Sequence, residues 1–341
     1  MLFSRLLLKN RAGYQAALRY KTQYPYSNTA WYFNSVRLEP WSWFSPATRA
    51  SHSSSNPPVS PPPSLGRLKG ATCMITGGSS GIGLGIAHRF LLEGAERIIL
   101  VGRNRKRLED AVKSLGTEIA IGELPKPAKI VHSGCFTLVT GDVGCPSFWC
   151  EEVKRLMRRV DILVNAAGVS HSSLLSTAKD EHITQLLHTN LQGTIFACRT
   201  MTRQALRQRR MQQQTDASTR SYLGTKCIIN ISSLHASRGG VGVATYASTK
   251  AGVIALTRAI VAESNLPCSG ASIRANVIVP GYIETKMLDE LGEQFRNDTM
   301  QSIPLRRFGT IEEVADAAVF VVTNQYANNC VLNLDGGLSA V

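Results

Sequence analysis

From residue 68 onward, short apolar runs alternate with longer stretches of helical spacing. Residues 71–76, 97–101, 136–140, 161–165, 226–232 and 272–279 have the length and β-branched content of strands. Residues 84–92 and 105–115 repeat at the helical period, and longer helical runs cover about 180–209 and 246–263. Strands that alternate with helices predict a parallel sheet covered on both faces. Residues 116–134 and 211–224 interrupt the alternation and read as surface insertions.

Residues 1–66 lack this texture. Through Tyr20, Leu and Phe stand against Arg and Lys with no acid. An Arg-rich, Ser-rich, acid-poor stretch is the composition of a mitochondrial presequence, and a secretory signal would need a longer apolar core. Residues 51–64 are rich in Ser and Pro and read as a disordered linker. The aromatic cluster Trp31, Tyr32, Phe33, Trp41, Trp43 and Phe44 is either part of a removed presequence or a membrane-contacting patch. Of the net charge of +14, +8 falls in residues 1–70, with nine Lys and Arg against one acid, Glu39. The basic balance is therefore a leader property, and no nucleic-acid partner is expected.

The eight cysteines form no C-x-x-C pair, and no histidine sits at zinc spacing from them. Cys73, Cys198 and Cys227 lie in apolar runs and read as core residues. Cys145 and Cys150 are five apart, a poor metal geometry on a helix, so free thiols in a reducing compartment and no metal are expected. No apolar run reaches transmembrane length.

Candidate chemistry centres on Tyr246-Ala247-Ser248-Thr249-Lys250. Residues four apart on a helix share a face, so phenol and ammonium point into one space. An ammonium beside a phenol lowers its pKa, and such a tyrosine exchanges a proton with a carbonyl or an alcohol. The spacing alone also arises by chance in many helices. A second motif, Thr76-Gly77-Gly78-Ser79-Ser80-Gly81-Ile82-Gly83, lies where the first strand gives way to a helix. Gly77 permits the tight turn, Gly81 admits a pyrophosphate, and Gly83 lets helix and strand pack closely. The helix N-terminus beyond attracts anions.

Where an NAD-binding chain would carry an acid, about twenty residues on, this one has Arg103, followed by Arg105, Lys106 and Arg107. A guanidinium there clasps a 2′-phosphate and points to NADP(H); the alternative is a basic helix start facing water. Asp142 follows the third strand, where it can accept from an adenine amino group. The small residues of Asn165-Ala166-Ala167-Gly168 leave room for a cofactor. Asn190, inside a helical run, reads as a packing residue or as part of the site.

In this order, with Ile231-Ser232-Ser233 and Pro280-Gly281, the motifs resemble those of the short-chain dehydrogenase/reductases from about Lys69 to the end. Residues 303–309, Leu334-Asp335-Gly336-Gly337 and Leu187-His188-Thr189-Asn190-Leu191 are similar to the 3-oxoacyl-[acyl-carrier-protein] reductases and a related mitochondrial carbonyl reductase. The resemblance implies a Rossmann-type doubly wound parallel sheet of about seven strands, as a single domain over 67–341. It implies that Tyr246 protonates the substrate carbonyl, Lys250 tunes it and binds ribose, Ser233 bonds the carbonyl oxygen, and Asn190 holds a relay water. Ser232 is the weaker candidate by spacing. Cofactor contacts fall to Gly77, Ser79, Ser80, Gly81, Ile82, Gly83, Arg103, Asp142, Asn165, Ala166, Gly168, Tyr246, Lys250, Pro280, Gly281, Ile283 and Thr285.

Where many NADP-preferring members carry a basic residue in the glycine turn, this chain has Ser80, which leaves the selectivity to Arg103. The expected reaction is NADPH-dependent reduction of a 3-oxoacyl thioester presented by acyl-carrier protein. Arg203, Arg207, Arg209 and Arg210 form one candidate carrier patch, and a second patch, near Pro267-Cys268, is lost. A solvated helix face is the alternative for those arginines. The resemblance also implies a tetramer packed through the long helices. Alternatives are a general carbonyl, quinone or hydroxysteroid reductase, or a non-catalytic subunit of a mixed tetramer.

Overall fold

A computed structural model describes residues 66–116, 130–214, 225–264, 266, 273–285, 288 and 292–341. The expected leader up to residue 65, most of the first insertion, residues 215–224 of the second and the place near Pro267-Cys268 lie outside the described residues.

The described chain alternates strand and helix: β1 (Thr72–Thr76), α1 (Gly81–Leu92), β2 (Arg97–Gly102), α2 (Arg105–Ser114), β3 (Ile130–Ser133) and β4 (Phe136–Thr140). There follow α3 (Glu151–Arg159), β5 (Ile162–Asn165), α4 (Asp180–Leu186), α5 (Gly193–Gln214), β6 (Lys226–Ile231) and α6 (Ala244–Ser264). β7 (Ile273–Pro280), α7 (Glu293–Ser302), α8 (Ile311–Thr323) and β8 (Val331–Leu334) complete it. The eight strands form one sheet in the order β3-β4-β2-β1-β5-β6-β7-β8, parallel except where β3 pairs with β4.

Alternation along each strand decides which core a side chain joins. Cys73 and Ile75 of β1 face one core, with Ile86 and Phe90 of α1, Leu108 of α2 and Val314, Ala318 and Val322 of α8. Met74 of the same strand faces the other, with Val153 and Met157 of α3, Ala197 and Met201 of α5 and Ile260 of α6. Every residue of β5, β6 and β7 is buried, as strands covered on both faces require. Cys73, Cys198 and Cys227 are buried as expected, and burial pushes the Cys227 thiol up to about 11 and Cys198 up to about 12.

Three features differ from the sequence expectation. The sheet has eight strands rather than about seven, because the end of the first insertion returns as β3, pairing Ile130 with Val139 and Ser133 with Phe136. The helical run over 180–209 is not one α-helix: residues Leu187–Gln192 form a π-helical turn between α4 and α5. Such turns are frequent at functional sites, and this one carries Asn190. The second insertion begins late, since α5 continues to Gln214.

The strand order reverses direction between β1 and β5, which opens a crevice at their C-terminal ends, the expected ligand position in such sheets. The opposite flank is held by Arg274 of β7, which is buried. Its Nη1 donates to the carbonyls of Val321 (3.0 Å), Asn324 (3.2 Å) and Ala327 (2.8 Å), and its Nη2 to that of Val322 (2.7 Å). The Val321 and Val322 carbonyls belong to the last turn of α8, which leaves them without helical partners, and those of Asn324 and Ala327 follow in the loop beyond it. Replacing Arg274 with Met should therefore cost about 3 kcal/mol or more, because acceptors stay buried and unsatisfied; denaturant unfolding checks this.

Candidate active site

The site is built where β6 ends and α6 begins. Tyr246 and Lys250 lie one turn apart on α6, with the Lys250 ammonium 5.7 Å from the centre of the Tyr246 ring. Lys250 Nζ donates to the carbonyl of Ile231 (3.0 Å), the last residue of β6. Ser232 Oγ donates to the Lys250 carbonyl (2.8 Å), so strand and helix are stitched together at the lysine. Ser233 opens a 3-10 turn, accepts from the His235 N–H at 3.3 Å and is hydrogen-bonded to the Tyr246 hydroxyl. Between the two serines, Ser233 thus faces the phenol and Ser232 is structural.

Asn190 reaches the same place from the π-helical turn. Its Oδ1 accepts from Val169 N–H (2.8 Å), and its Nδ2 donates to Val169 O (3.0 Å) and Thr249 Oγ1 (3.3 Å). A Cβ added to Gly168 would stand 3.5 Å from Asn190 Oδ1 and 3.6 Å from Lys250 Nζ. Asn190 and Lys250 therefore meet beside Gly168, and Tyr246 and Ser233 adjoin them through the contact of the ammonium with the phenol ring and the hydrogen bond between the two hydroxyls.

The glycine turn stands at the adjacent crevice. Gly77, at φ +69°, lies against the Ala166–Ala167 backbone, where a Cβ would come within 2.7 Å. Gly83 packs on the Gly77 carbonyl, where a Cβ would come within 2.4 Å. Gly81 differs: among the described residues, only the Thr285 methyl, at 3.8 Å, comes near its Cβ position. Ser80 at the N-cap of α1 makes no side-chain capping bond.

The profile of the family described as short chain dehydrogenase matches residues 71–296. The chain belongs to the short-chain dehydrogenases. A 3-oxoacyl-[acyl-carrier-protein] reductase of Rattus norvegicus is 33% identical over 268 residues, 78% of this chain and 97% of that protein. One from Chlamydia pneumoniae is 31% identical over 277 residues, covering 80% and 98%. Carbonyl reductase family member 4 of Xenopus laevis is 31% identical over 266 residues, covering 78% and 97%. Among solved structures, a short chain dehydrogenase from Bacillus anthracis superposes with a TM-score of 0.62 at 28% identity, covering 80% and 98%. A Beutenbergia cavernae protein described as an NAD(P)-dependent gluconate 5-dehydrogenase, with NADP bound at low occupancy, gives 0.65 at 26%, covering 80% and 98%.

For a short-chain dehydrogenase, the residues present fit a nicotinamide dinucleotide. The N–H groups at the α1 N-terminus lack a side-chain cap, and among the described residues only the Thr285 methyl approaches Gly81, which leaves the room a pyrophosphate needs. Thr285 faces this turn from across the crevice. Arg103 is exposed just after the end of β2, and Ser79 Oγ lies beside Gly102. Ile82 is partly buried and packs against the core with its side chain. Gly281, after Pro280, abuts Asp335, where a Cβ would come within 2.8 Å. The Ile283 side chain is buried against Gly309, and its bridge uses the Tyr282 carbonyl and the Glu284 N–H.

Two expectations change. Asn165 turns inward, donating to Asn230 Oδ1 (2.8 Å), so it ties β5 to β6 and holds Ala166 and Gly168 in place rather than reaching the crevice with its side chain. The Tyr246 phenol is not lowered in the protein alone. Burial raises it, and the Ser233 hydrogen bond offsets only part. Lys250 is itself desolvated and engaged with the Ile231 carbonyl, and its own pKa falls to about 8.

Sequence reasoning missed His235 and Tyr282. The His235 ring stands edge-on to Tyr246 (centroids 6.4 Å) and Tyr282 (6.1 Å), and burial pushes its pKa down. Both flank known motifs, His235 two places after Ser233 and Tyr282 directly after Gly281, and that adjacency was the available signal.

The Lys250 shift has a sign. A lysine whose folded pKa is about 8 instead of 10.5 pays its full desolvation cost below pH 8. Between 8 and 10.5 the unfolded chain binds the extra proton, so stability rises with pH. Without bound dinucleotide, the stability of wild type relative to Lys250→Met should climb by on the order of 3 kcal/mol across that window, measured by chemical denaturation at a series of pH values.

Proposed function

We propose that this short-chain dehydrogenase reduces a 3-oxoacyl thioester, carried on acyl-carrier protein, to the 3-hydroxyacyl product with NADPH. The observation that carries the reading is the Asn190, Ser233, Tyr246 and Lys250 cluster within a chain 31–33% identical to reductases named for that substrate. A bound nicotinamide supplies the hydride. The Tyr246 hydroxyl gives its proton to the ketone oxygen, and Ser233 donates a hydrogen bond to the oxygen on which charge develops. The Lys250 ammonium favours the phenolate left behind, and Asn190, beside Gly168 and Lys250, orients the path by which the proton is restored.

Arg103 and Ser79 support NADPH over NADH, since a guanidinium at the ribose clasps a 2′-phosphate. The composition of residues 1–66 supports a mitochondrial matrix location. The exposed arginines Arg203, Arg207 and Arg209 of α5 suit an acidic carrier, and the outer faces of α5 and α6 suit assembly into a tetramer. No described helix is long and apolar enough to cross a membrane. A second reading, a general carbonyl reductase, is favoured by the 31% identity to carbonyl reductase family member 4.

The two are separated by assaying NADPH oxidation with acetoacetyl thioesters, free and carrier-bound, against quinone and steroid ketones. Turnover of the thioester is expected, and its absence alongside quinone turnover overturns the substrate assignment. Tyr246→Phe should lower kcat by ~10²–10⁴-fold with NADPH binding nearly unchanged. Arg103→Ala should weaken NADPH by ~10-fold or more while leaving NADH nearly unaffected, measured by fluorescence titration of the reduced cofactors.

A further inference from the structure

Beyond the catalytic cluster, the fold gathers three potential ligands that lie far apart in sequence. Asp142 follows β4, Cys145 is three residues on, and His188 comes from the π-helical turn. Cys145 and Cys150 do not share a helix: Cys145 precedes a 3-10 turn, and Cys150 is the N-cap of α3. The partner that spacing failed to reveal is His188. Its Nε2 lies 3.4 Å from Asp142 Oδ2 and 3.8 Å from Cys145 Sγ, and the three donor atoms lie within 4.8 Å of one another.

These separations can be compared with those around an ion. Zinc takes nitrogen and oxygen at ~2.0–2.1 Å and thiolate sulfur at ~2.3 Å. Tetrahedral angles then separate N from O by about 3.4 Å and N from S by about 3.6 Å. The first matches the Asp142–His188 distance, and the second falls 0.2 Å short of the Cys145–His188 distance.

The surroundings are also shaped for it. Asp142 Oδ1 accepts from the Gly144 N–H (2.9 Å), which leaves Oδ2 facing the imidazole. A Cβ on Gly144 would come within 2.4 Å of His188 Nε2, so the close approach depends on glycine. The Asp142 and His188 side chains are 32% and 31% exposed, so an ion and its completing water can enter.

We propose that Asp142, Cys145 and His188 form a three-residue site for a zinc-class divalent ion, with water as fourth ligand. On binding, the Cys145 thiol releases its proton to solvent, and the neutral imidazole binds through Nε2 with its proton on Nδ1. Gln192 Nε2, which donates to Gly144 O (2.8 Å) and lies 3.3 Å from His188 Nδ1, must then turn its amide over to accept that proton. The ion therefore costs one hydrogen bond. Because Asp142 is the residue expected to receive the adenine amino group, metal and dinucleotide exclude each other. That exclusion rests on the cofactor reading above; the metal site does not.

Cobalt(II) titration of the full chain, reduced and freed of dinucleotide, tests the site. One equivalent should bring up a thiolate-to-cobalt charge-transfer band, which zinc then bleaches. Cys145→Ser should abolish the band, His188→Gln should weaken binding by at least ~10-fold, and Cys150→Ser should change nothing. Melting curves check that each variant is folded. No band in wild type, or a band that survives Cys145→Ser, overturns the site. NADPH should raise the cobalt concentration needed for half-saturation. Cobalt and NADPH bound together without interference would overturn the exclusion alone, and failure to bind NADPH in the absence of metal would instead count against the cofactor reading.

Discussion

An ammonium group held nearly out of water is the constraint around which this protein is arranged. Lys250 is buried, its charge is disfavoured by desolvation, and its ammonium donates to the carbonyl that ends β6. That bond fixes where α6 starts relative to the sheet, and Ser232 doubles it from the other direction through the Lys250 carbonyl. Tyr246 and Ser233 are then positioned by the same junction. Stability is given up at the lysine so that a charge waits beside the crevice, where a ligand's hydroxyls can replace some of the missing water.

Behind the site, polar groups extend the arrangement into the interior. Asn165 bonds Asn230, and Asn230 Nδ2 donates to Thr257 Oγ1 on α6 at 2.8 Å. The chain β5–β6–α6 is thereby joined by side chains as well as by the backbone ladder. Asn190 makes the corresponding link from the π-helical turn to the loop after β5, through both the amide and the carbonyl of Val169. Gly168 is held between these anchors, close to the lysine and open to the crevice.

What could be read from the sequence was what is local. The glycine turn and the Tyr246–Lys250 pair are set by spacings of a few residues, and the alternation of strands with helices needs no more than short windows. The parts that were missed depend on distant segments. β3 is four residues of mixed character, and it becomes a strand because β4 offers it an edge. The π-helical turn has the composition of an ordinary helix, and its backbone register follows from Asn190 bonding to Val169, 21 residues away. The lowered phenol expected for Tyr246 failed because spacing reports proximity to a cation but not how far both groups are removed from solvent.

The added strand has a consequence for the sheet as a whole. In a parallel sheet of this order, β4 would present an open row of amides and carbonyls at one border. Here that border is instead β3, four residues long and running against the others, and the far border is the four-residue β8. Borders this short give another chain little length on which to align. The end of the insertion thus replaces a five-residue parallel border with a four-residue antiparallel one.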